Sequence, residues 1–469
     1  MNQATPPIPP IARLPQPSVS WERYFGAVAA ADPVRPTGRV VGMVGLTVEA
    51  DGPLMKVGDH CTLEDIRARR KLPAEAVGFR QGRVLLMPLG DTEGIGPGWV
   101  VTATGEPLCV GVSDELLGRV VDALGRPIDG GPPITPVVSR PLKGAAPHPL
   151  QRPRVTDRIN TGVRAIDTLL TFGKGQRIGL FAGSGVGKST LLGMIARTSS
   201  ADVNVIALVG ERGKEVRDFL DRDMGPEALK RSVAVVCTSD QPALLRLKAA
   251  QTATAIAEYF RDQGNDVMLL VDSITRWAIA QREVGLAAGE PPTTRGFPPS
   301  VFALLPRLLE RAGRSARGSI TGVYTVLVEG DDMTEPISDS CRAILDGHIA
   351  LTRQLASRNH FPAIDVLDSI SRVANDVRTR EESDLAAMVR DLLATYREAE
   401  DLIAVGAYKK GSSARIDRAI ATNDALNTFL RQQVSESVTG QNAWSALREI
   451  FAASLPVEST QKFVTQKTT

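Results

Sequence analysis

The stretch GLFAGSGVGKSTLLGMI, residues 179–195, decides how the rest of the chain is read. An apolar strand end runs into a glycine-spaced turn. A lysine and two hydroxyls follow and open a helical run. AGSGVGKS fits the phosphate-loop pattern, with Ala182 in the place of the first glycine, a residue small enough for the turn to close. Gly183, Ser184, Gly185, Val186 and Gly187 form the curl, whose glycines let successive backbone N–H groups turn toward an anion. Lys188 has the reach for β- and γ-phosphates, Ser189 offers a hydroxyl to Mg²⁺, and the helix beginning at Thr190 adds its positive N-terminal dipole.

Working outward, QRIGLFAG, VNVIALVG, SVAVVCTS, DVMLLVDS and GVYTVLVEG are short, apolar and rich in Val and Leu. They read as strands buried on both faces of a parallel sheet. Helical stretches such as ALLRLKAAQTATAIAEYFRDQ lie between them, so a doubly wound α/β core is expected over residues 113–380. Upstream, RVVGMVGLTVEADGP, AVGFRQGRVLLMPLG and GWVVTATGEPLCVGV alternate with Gly, Pro and Asp turns, which predicts a small β-barrel over residues 36–112. Downstream of residue 381, apolar residues fall at Leu385, Met388, Val389, Leu392, Leu393 and Tyr396, the spacing of one helical face. A helical domain is expected over 381–469, and a Pro-rich arm with one short amphipathic helix (SWERYFGAVAAA) over 1–35.

Composition removes several function classes. The formal net charge of +2 and an aromatic content of 4% argue against a nucleic-acid partner, which needs a basic field and stacking surfaces. Cys61, Cys109, Cys237 and Cys341 form no CxxC pair and read as reduced packing residues of a cytosolic protein; His60, His148, His348 and His360 are scattered too widely for a zinc site. No apolar run approaches the ~18 residues of a transmembrane helix, and the first residues lack the apolar core of a secretory signal.

A phosphate loop predicts an acidic residue at the end of a buried strand, to hold the shell of Mg²⁺. Asp272 follows five apolar residues in DVMLLVDSITRWA; helix capping is the alternative reading. Hydrolysis also needs a group that polarises water. Glu211 closes VNVIALVGE at a carboxyl edge of the sheet, where open α/β sheets bind ligands, and is the candidate; a helix N-terminal carboxylate is the alternative. Arg212 and Arg276 follow these acids closely and reach either a phosphate or a carboxylate. Arg372 in FPAIDVLDSISRV is one of 55 Lys and Arg, and spacing alone does not select it to neutralise the transferring phosphate.

At these residues a family resemblance becomes specific. LLGRVVDALGRPIDG, TGVRAIDTLLTFGKGQRIGLFAGSGVGKST, GERGKEVRDF, DSITRWAIAQREVGLAAGEPPTTRGFPPSVFALLPRLLERAG, GSITGVYTVLVEGDD, ILDGHIALTRQLA and HFPAIDVLDSISR resemble the rotary-type ATPase superfamily, and within it the flagellar type III protein-export ATPases. The resemblance implies a RecA-like P-loop α/β core between a small β-barrel and a helical C-terminal domain. It also implies a homohexameric ring that binds ATP and Mg²⁺ between neighbours. It gives Lys188 and Ser189 their phosphate and magnesium roles, and has Asp272 hold Mg²⁺ through water. It gives Glu211 the water, Arg372 the neighbouring subunit's site, and Phe361 the adenine ring. Tyr408 in VGAYKKGS is a weaker candidate for the base, with a packing tyrosine as the alternative. Implied partners are a dimeric regulator on the N-terminal segment, a coiled-coil stalk, export chaperones with cargo, and the membrane export gate. The implied location is the cytoplasm, at the inner-membrane gate. One chain carrying both Glu211 and Arg372 suits identical subunits. The wording GSGVGKS leans toward the flagellar rather than the virulence branch. An ATP synthase catalytic subunit, a hexameric RNA translocase and a non-catalytic nucleotide-binding scaffold are the competing readings.

Overall fold

The computed structural model describes residues 21–30, 36–328 and 332–454. The arm expected over residues 1–20 and 31–35 lies outside them. The short helix is α1 (Trp21–Ala30), whose Trp21, Tyr24, Phe25 and Val28 form an exposed apolar stripe at helical spacing.

Six antiparallel strands, β1 (Thr37–Val44), β2 (Thr47–Asp51), β3 (His60–Asp65), β4 (Arg70–Arg80), β5 (Arg83–Pro88) and β6 (Val100–Ala103), close into a barrel in the order β1-β2-β5-β4-β3-β6. Alternate residues point inward, and Val48, Ala50, Cys61, Leu63, Ala74, Leu86 and Val101 fill the interior. The segment Cys109–Val112 was expected as a barrel strand and does not join it. It pairs instead with Val138–Pro141, because the run is broken after Ala103 by a turn at Gly105 (φ +73°) and by Pro107. The four cysteines are free thiols; burial pushes those of Cys61 and Cys237 up to about 12.

The core sheet contains β7 (Val120–Val121), β8 (Arg177–Ala182), β9 (Val203–Glu211), β10 (Ser232–Thr238), β11 (Asp266–Asp272), β12 (Ser319–Leu327), β13 (Gly347–Leu351) and β14 (Ile364–Ser371), in the order β14-β13-β8-β12-β11-β9-β10-β7. The five segments expected as strands are its centre and run parallel. Along β9 the side chains alternate between two apolar layers, Val205, Ala207 and Val209 on one face and Ile206 and Leu208 on the other. The flanking β7, β13 and β14 were not expected; β14 is antiparallel to β13, so the sheet is mixed at that edge. Helices α2 (Lys188–Thr198), α3 (Ala243–Asp262) and α4 (Ile274–Ala288) cover the faces. Alanines 249, 250, 253, 255 and 257 let α3 lie close to the sheet. Barrel and core are joined by the buried Glu75, which holds Lys143 at 2.8 Å and also pairs with Lys248 of α3.

Among the described residues, the C-terminal part is formed by three helices, α5 (Arg380–Ala404), α6 (Ala414–Leu430) and α7 (Gly440–Ser454). Thr379 and Glu382 make a capping box at the start of α5, and the stripe read from the sequence packs around Ala386, Val389 and Leu392.

Candidate active site

Strand β8 delivers the chain to Ala182, and the loop turns back into α2 at Lys188. Gly185 (φ +79°) and Gly187 (φ +90°) adopt the left-handed conformation that bends the loop, and open space surrounds the position a Cβ would take at Gly185. Ala182 and Val186 are buried and fix the loop's two walls, whereas Ser184 and Gly185 are exposed at its rim. Ser189 and Thr190 sit half-buried in the first helical turn.

Three neighbouring strand ends supply the groups behind the loop. Lys188 Nζ lies 2.5 Å from Oδ1 of Asp272 at the end of β11, and 3.6 Å from Oε1 of Glu211 at the end of β9. The hydroxyl of Thr325 on β12 donates to the same Asp272 oxygen at 2.8 Å. Arg276, in the first turn of α4, donates Nε–H to Glu211 at 3.2 Å. Its side chain packs on Gly210, where a Cβ would stand 3.0 Å from Arg276 Cδ. Two carboxylates and two cations thus share one largely buried cluster. The ladder explains the meeting: Leu208 of β9 pairs with Asp272 of β11, so both acids arrive at the carboxyl end of the sheet.

Burial, then the charge of Asp272, pushes the Glu211 carboxyl up to about 7, a hydrogen bond with Glu215 adding to the rise and Lys188 and Arg276 pulling the other way. Lys188 is held above its ordinary value: burial opposes the charge, but Asp272 and Glu211 outweigh it. A carboxyl near neutrality has the affinity of a general base at physiological pH.

The remaining expected residues divide. Phe361 stands beside the loop, its ring 3.6 Å from the position of a Gly187 Cβ. It is 40% exposed, in an open cavity of about 720 Å³ shared with Thr190, Arg431 and Gln432. Arg212 is not brought to the cluster. The residue after Glu211 leaves the strand on the opposite side, and its side chain is 78% exposed, 4.0 Å from Glu215. Tyr408 spends its hydroxyl on Asp417 (2.9 Å) and Ser413 (3.0 Å), closing the turn between α5 and α6. Arg372 follows β14 at the other end of the sheet: Ser371 pairs with Gly347, while Leu351 lies beside Ala182. A five-residue strand separates them by roughly 15 Å, so this chain's own loop lies out of reach of Arg372. Thr325, Glu215, Arg431 and Gln432 escaped the sequence reading. Glu215 and Thr325 lie inside stretches that carry the family resemblance but were not singled out, and no motif marks Arg431 or Gln432; Gln432 reaches the site from beyond α6, its N–H on the Phe361 carbonyl at 2.9 Å.

With the geometry in place, the comparisons are consistent along the chain. Residues 40–105 match the β-barrel domain of the ATP synthase alpha/beta family, 162–371 its nucleotide-binding domain, and 378–449 the T3SS EscN ATPase C-terminal domain. The flagellum-specific ATP synthase of Bacillus subtilis is 53% identical over 432 residues, 92% of this chain and 98% of its own. The type 3 secretion system ATPase of Xanthomonas euvesicatoria is 47% identical over 440 residues, 94% and 99% of the two chains. The assembled ATPase EscN of enteropathogenic E. coli superposes with a TM-score of 0.84 at 45% identity, covering 88% of this chain and 99% of that one. EscN is also known in complex with its central stalk EscO. The chain therefore belongs to the ATP synthase alpha/beta family, among its flagellum-specific and type III secretion ATPases, and is an ATP-hydrolysing enzyme.

Proposed function

We propose that this chain is the ATPase of a flagellar protein-export apparatus, working as a ring of six identical subunits with ATP at each interface. The observation that carries the reading is the separation of Glu211 and Arg372 to opposite ends of one sheet. Such a chain offers a base to one interface and an arginine to the next, a head-to-tail contact of the kind that builds a ring where the rotation closes.

At the interface, the loop N–H groups and Lys188 hold the β- and γ-phosphates, and the ring of Phe361 packs on adenine. The donor set suits Mg²⁺, which binds through one or two carboxylates, phosphate oxygens and water. Ser189 and Asp272 provide one hydroxyl and one carboxylate at the loop; among the described residues no group of three or more His, Cys, Asp and Glu gathers as a metal cage. When bound, Mg²⁺ neutralises charge on the phosphates. Lys188 leaves Asp272 for the phosphates, Glu211 takes the proton of the attacking water at Oε1, and Arg276 keeps that carboxylate oriented. The neighbour's Arg372 stabilises the charge on the transferring phosphoryl group, a contribution of ~10³–10⁵ in rate for such arginines.

The hydrolysis releases or unfolds chaperone-bound export cargo. The exposed stripe of α1 suits a dimeric regulator, the ring's centre takes a coiled-coil stalk in the place of the central stalk EscO that EscN binds, and the assembly docks on the membrane export gate from the cytoplasm. Among the described residues no helix is long and apolar enough to cross a membrane. The test is a deletion strain: wild-type chain restores flagellar assembly and Glu211→Gln does not. Restoration of virulence-type secretion alone moves the assignment to the other branch.

A further inference from the structure

We propose that Gln176, Arg177 and Asp346 are positioning residues for Arg372, fixing the backbone from which it is offered to the neighbouring site. This rests on the reading that Arg372 acts in trans. The chain of contacts begins at the root of the strand that carries the phosphate loop. Arg177, the first residue of β8, donates its backbone N–H and its Nε–H to Oδ2 of Asp346, each at 3.0 Å, and its Nη2–H to Oδ1 at 3.0 Å. The Asp346 N–H returns a bond to the Arg177 carbonyl at 2.8 Å. Four hydrogen bonds thus clamp one aspartate to one arginine, and Nη1 of Arg177 pairs with Glu310 as well.

The clamped Asp346 then holds the arginine. Its carbonyl accepts the backbone N–H of Arg372 at 3.0 Å. The fully buried Gln176 works on the preceding residue: its amide donates to Ser371 Oγ at 2.9 Å and to the Asp346 carbonyl at 3.2 Å, while its oxygen accepts from Gly173 N–H at 3.0 Å. The Ser371 hydroxyl in turn donates to the Thr171 carbonyl at 3.0 Å. Gly347 makes room for this, since a Cβ there would stand 2.4 Å from the Ile370 carbonyl oxygen. The outcome is a residue held firmly by its main chain and lightly by its head. Among the described residues, the exposed Arg372 side chain makes a single bond, from Nη2 to the Arg342 carbonyl at 3.2 Å. An arginine that only stapled an edge strand has no need of this distribution; one presented to another subunit requires it, because a misplacement of ~1 Å at a reacting centre costs up to ~10² in rate.

The test uses full-length subunits in mixed assemblies. Glu211→Gln subunits supply Arg372 to sites on Arg372→Ala subunits, and this parent mixture reports on the trans reading by itself. Asp346→Asn is then added to one partner at a time. The amide keeps the volume, and Arg177 retains Glu310, so no buried cation is left unpaired. On the supplying subunit the substitution lowers kcat by about tenfold or more with KM for ATP unchanged. On the receiving subunit it leaves the mixture's rate where it was. Gln176→Met, which keeps side-chain length and removes the amide donors, repeats the comparison from the other contact. Equal loss on either side, or no loss on the supplying side, overturns the proposal. An inactive parent mixture overturns instead the trans reading beneath it.

Discussion

Replacing Glu211 by glutamine is expected to stabilise the nucleotide-free chain at alkaline pH while removing its activity. Glu211 is 8% exposed, and burial with the charge of Asp272 lifts its carboxyl from 4.5 to about 7. The folded chain therefore binds this proton more tightly than the unfolded one. Below pH 4.5 the group is protonated in both states and its charge costs nothing. Above pH 7 it is ionised in both, and the folded state bears the whole cost of the buried charge, about 3 kcal/mol at 1.36 kcal/mol per unit. Stability thus falls as pH rises through this window. Glutamine keeps the shape of the protonated acid, so its advantage over wild type grows by about 2 kcal/mol between about pH 5.5 and about pH 8.5. Denaturant unfolding of both chains at the two pH values measures it. A glutamine variant no more stable than wild type at the higher pH, or an advantage that does not shrink on acidification, refutes the electrostatic account of the site. In the wild type, kcat/KM for ATP rises with pH as the base of the nucleotide-free chain ionises around neutrality.

Other outcomes follow from the same contacts. Phe361→Ala raises KM for ATP about tenfold and spares kcat, since an aromatic–base contact is worth ~1–3 kcal/mol; steady-state kinetics separates the two constants. Glu258→Ala removes both carboxylate oxygens that hold Arg311, each at 2.8 Å in a buried pair, and costs about 3–5 kcal/mol in denaturant unfolding. Phe25→Asp puts a charge into the exposed stripe of α1; regulator binding measured by calorimetry is lost while hydrolysis by the chain alone is kept.

The centre of the fold was legible because its five strands are buried on both faces and so carry an unbroken apolar signal. The edges were not. GHIAL is five residues long and includes His348, and β14 places Asp365, Asp368, Ser369 and Ser371 among its apolar residues; neither reads as a strand by pattern. CVGV has a strand's composition, and only the turn at Gly105 and Pro107 decides that it leaves the barrel. The structure brings Lys188, Asp272, Glu211 and Arg276 together, and the sequence offered them as candidates because each sits at a strand or helix end whose direction it defines. Arg212 stands outside the cluster, beside the carboxylate of Glu215, because neighbouring residues of a strand point to opposite sides. Gln176 and Asp346 carry no motif, and their importance exists only through bonds made across the sheet edge. The position of Arg372 was unreadable from spacing; the family resemblance supplied its role, and the sheet register shows why one chain alone cannot use it on itself.

The most direct test of interface catalysis is the parent mixture of Arg372→Ala and Glu211→Gln subunits, each inactive by itself. A working site needs Glu211 from the first and Arg372 from the second. At equal amounts and random assembly about one interface in four meets both conditions in a head-to-tail ring, so hydrolysis returns to roughly a quarter of the wild-type rate per subunit. A mixture no more active than its parents at any ratio contradicts the account.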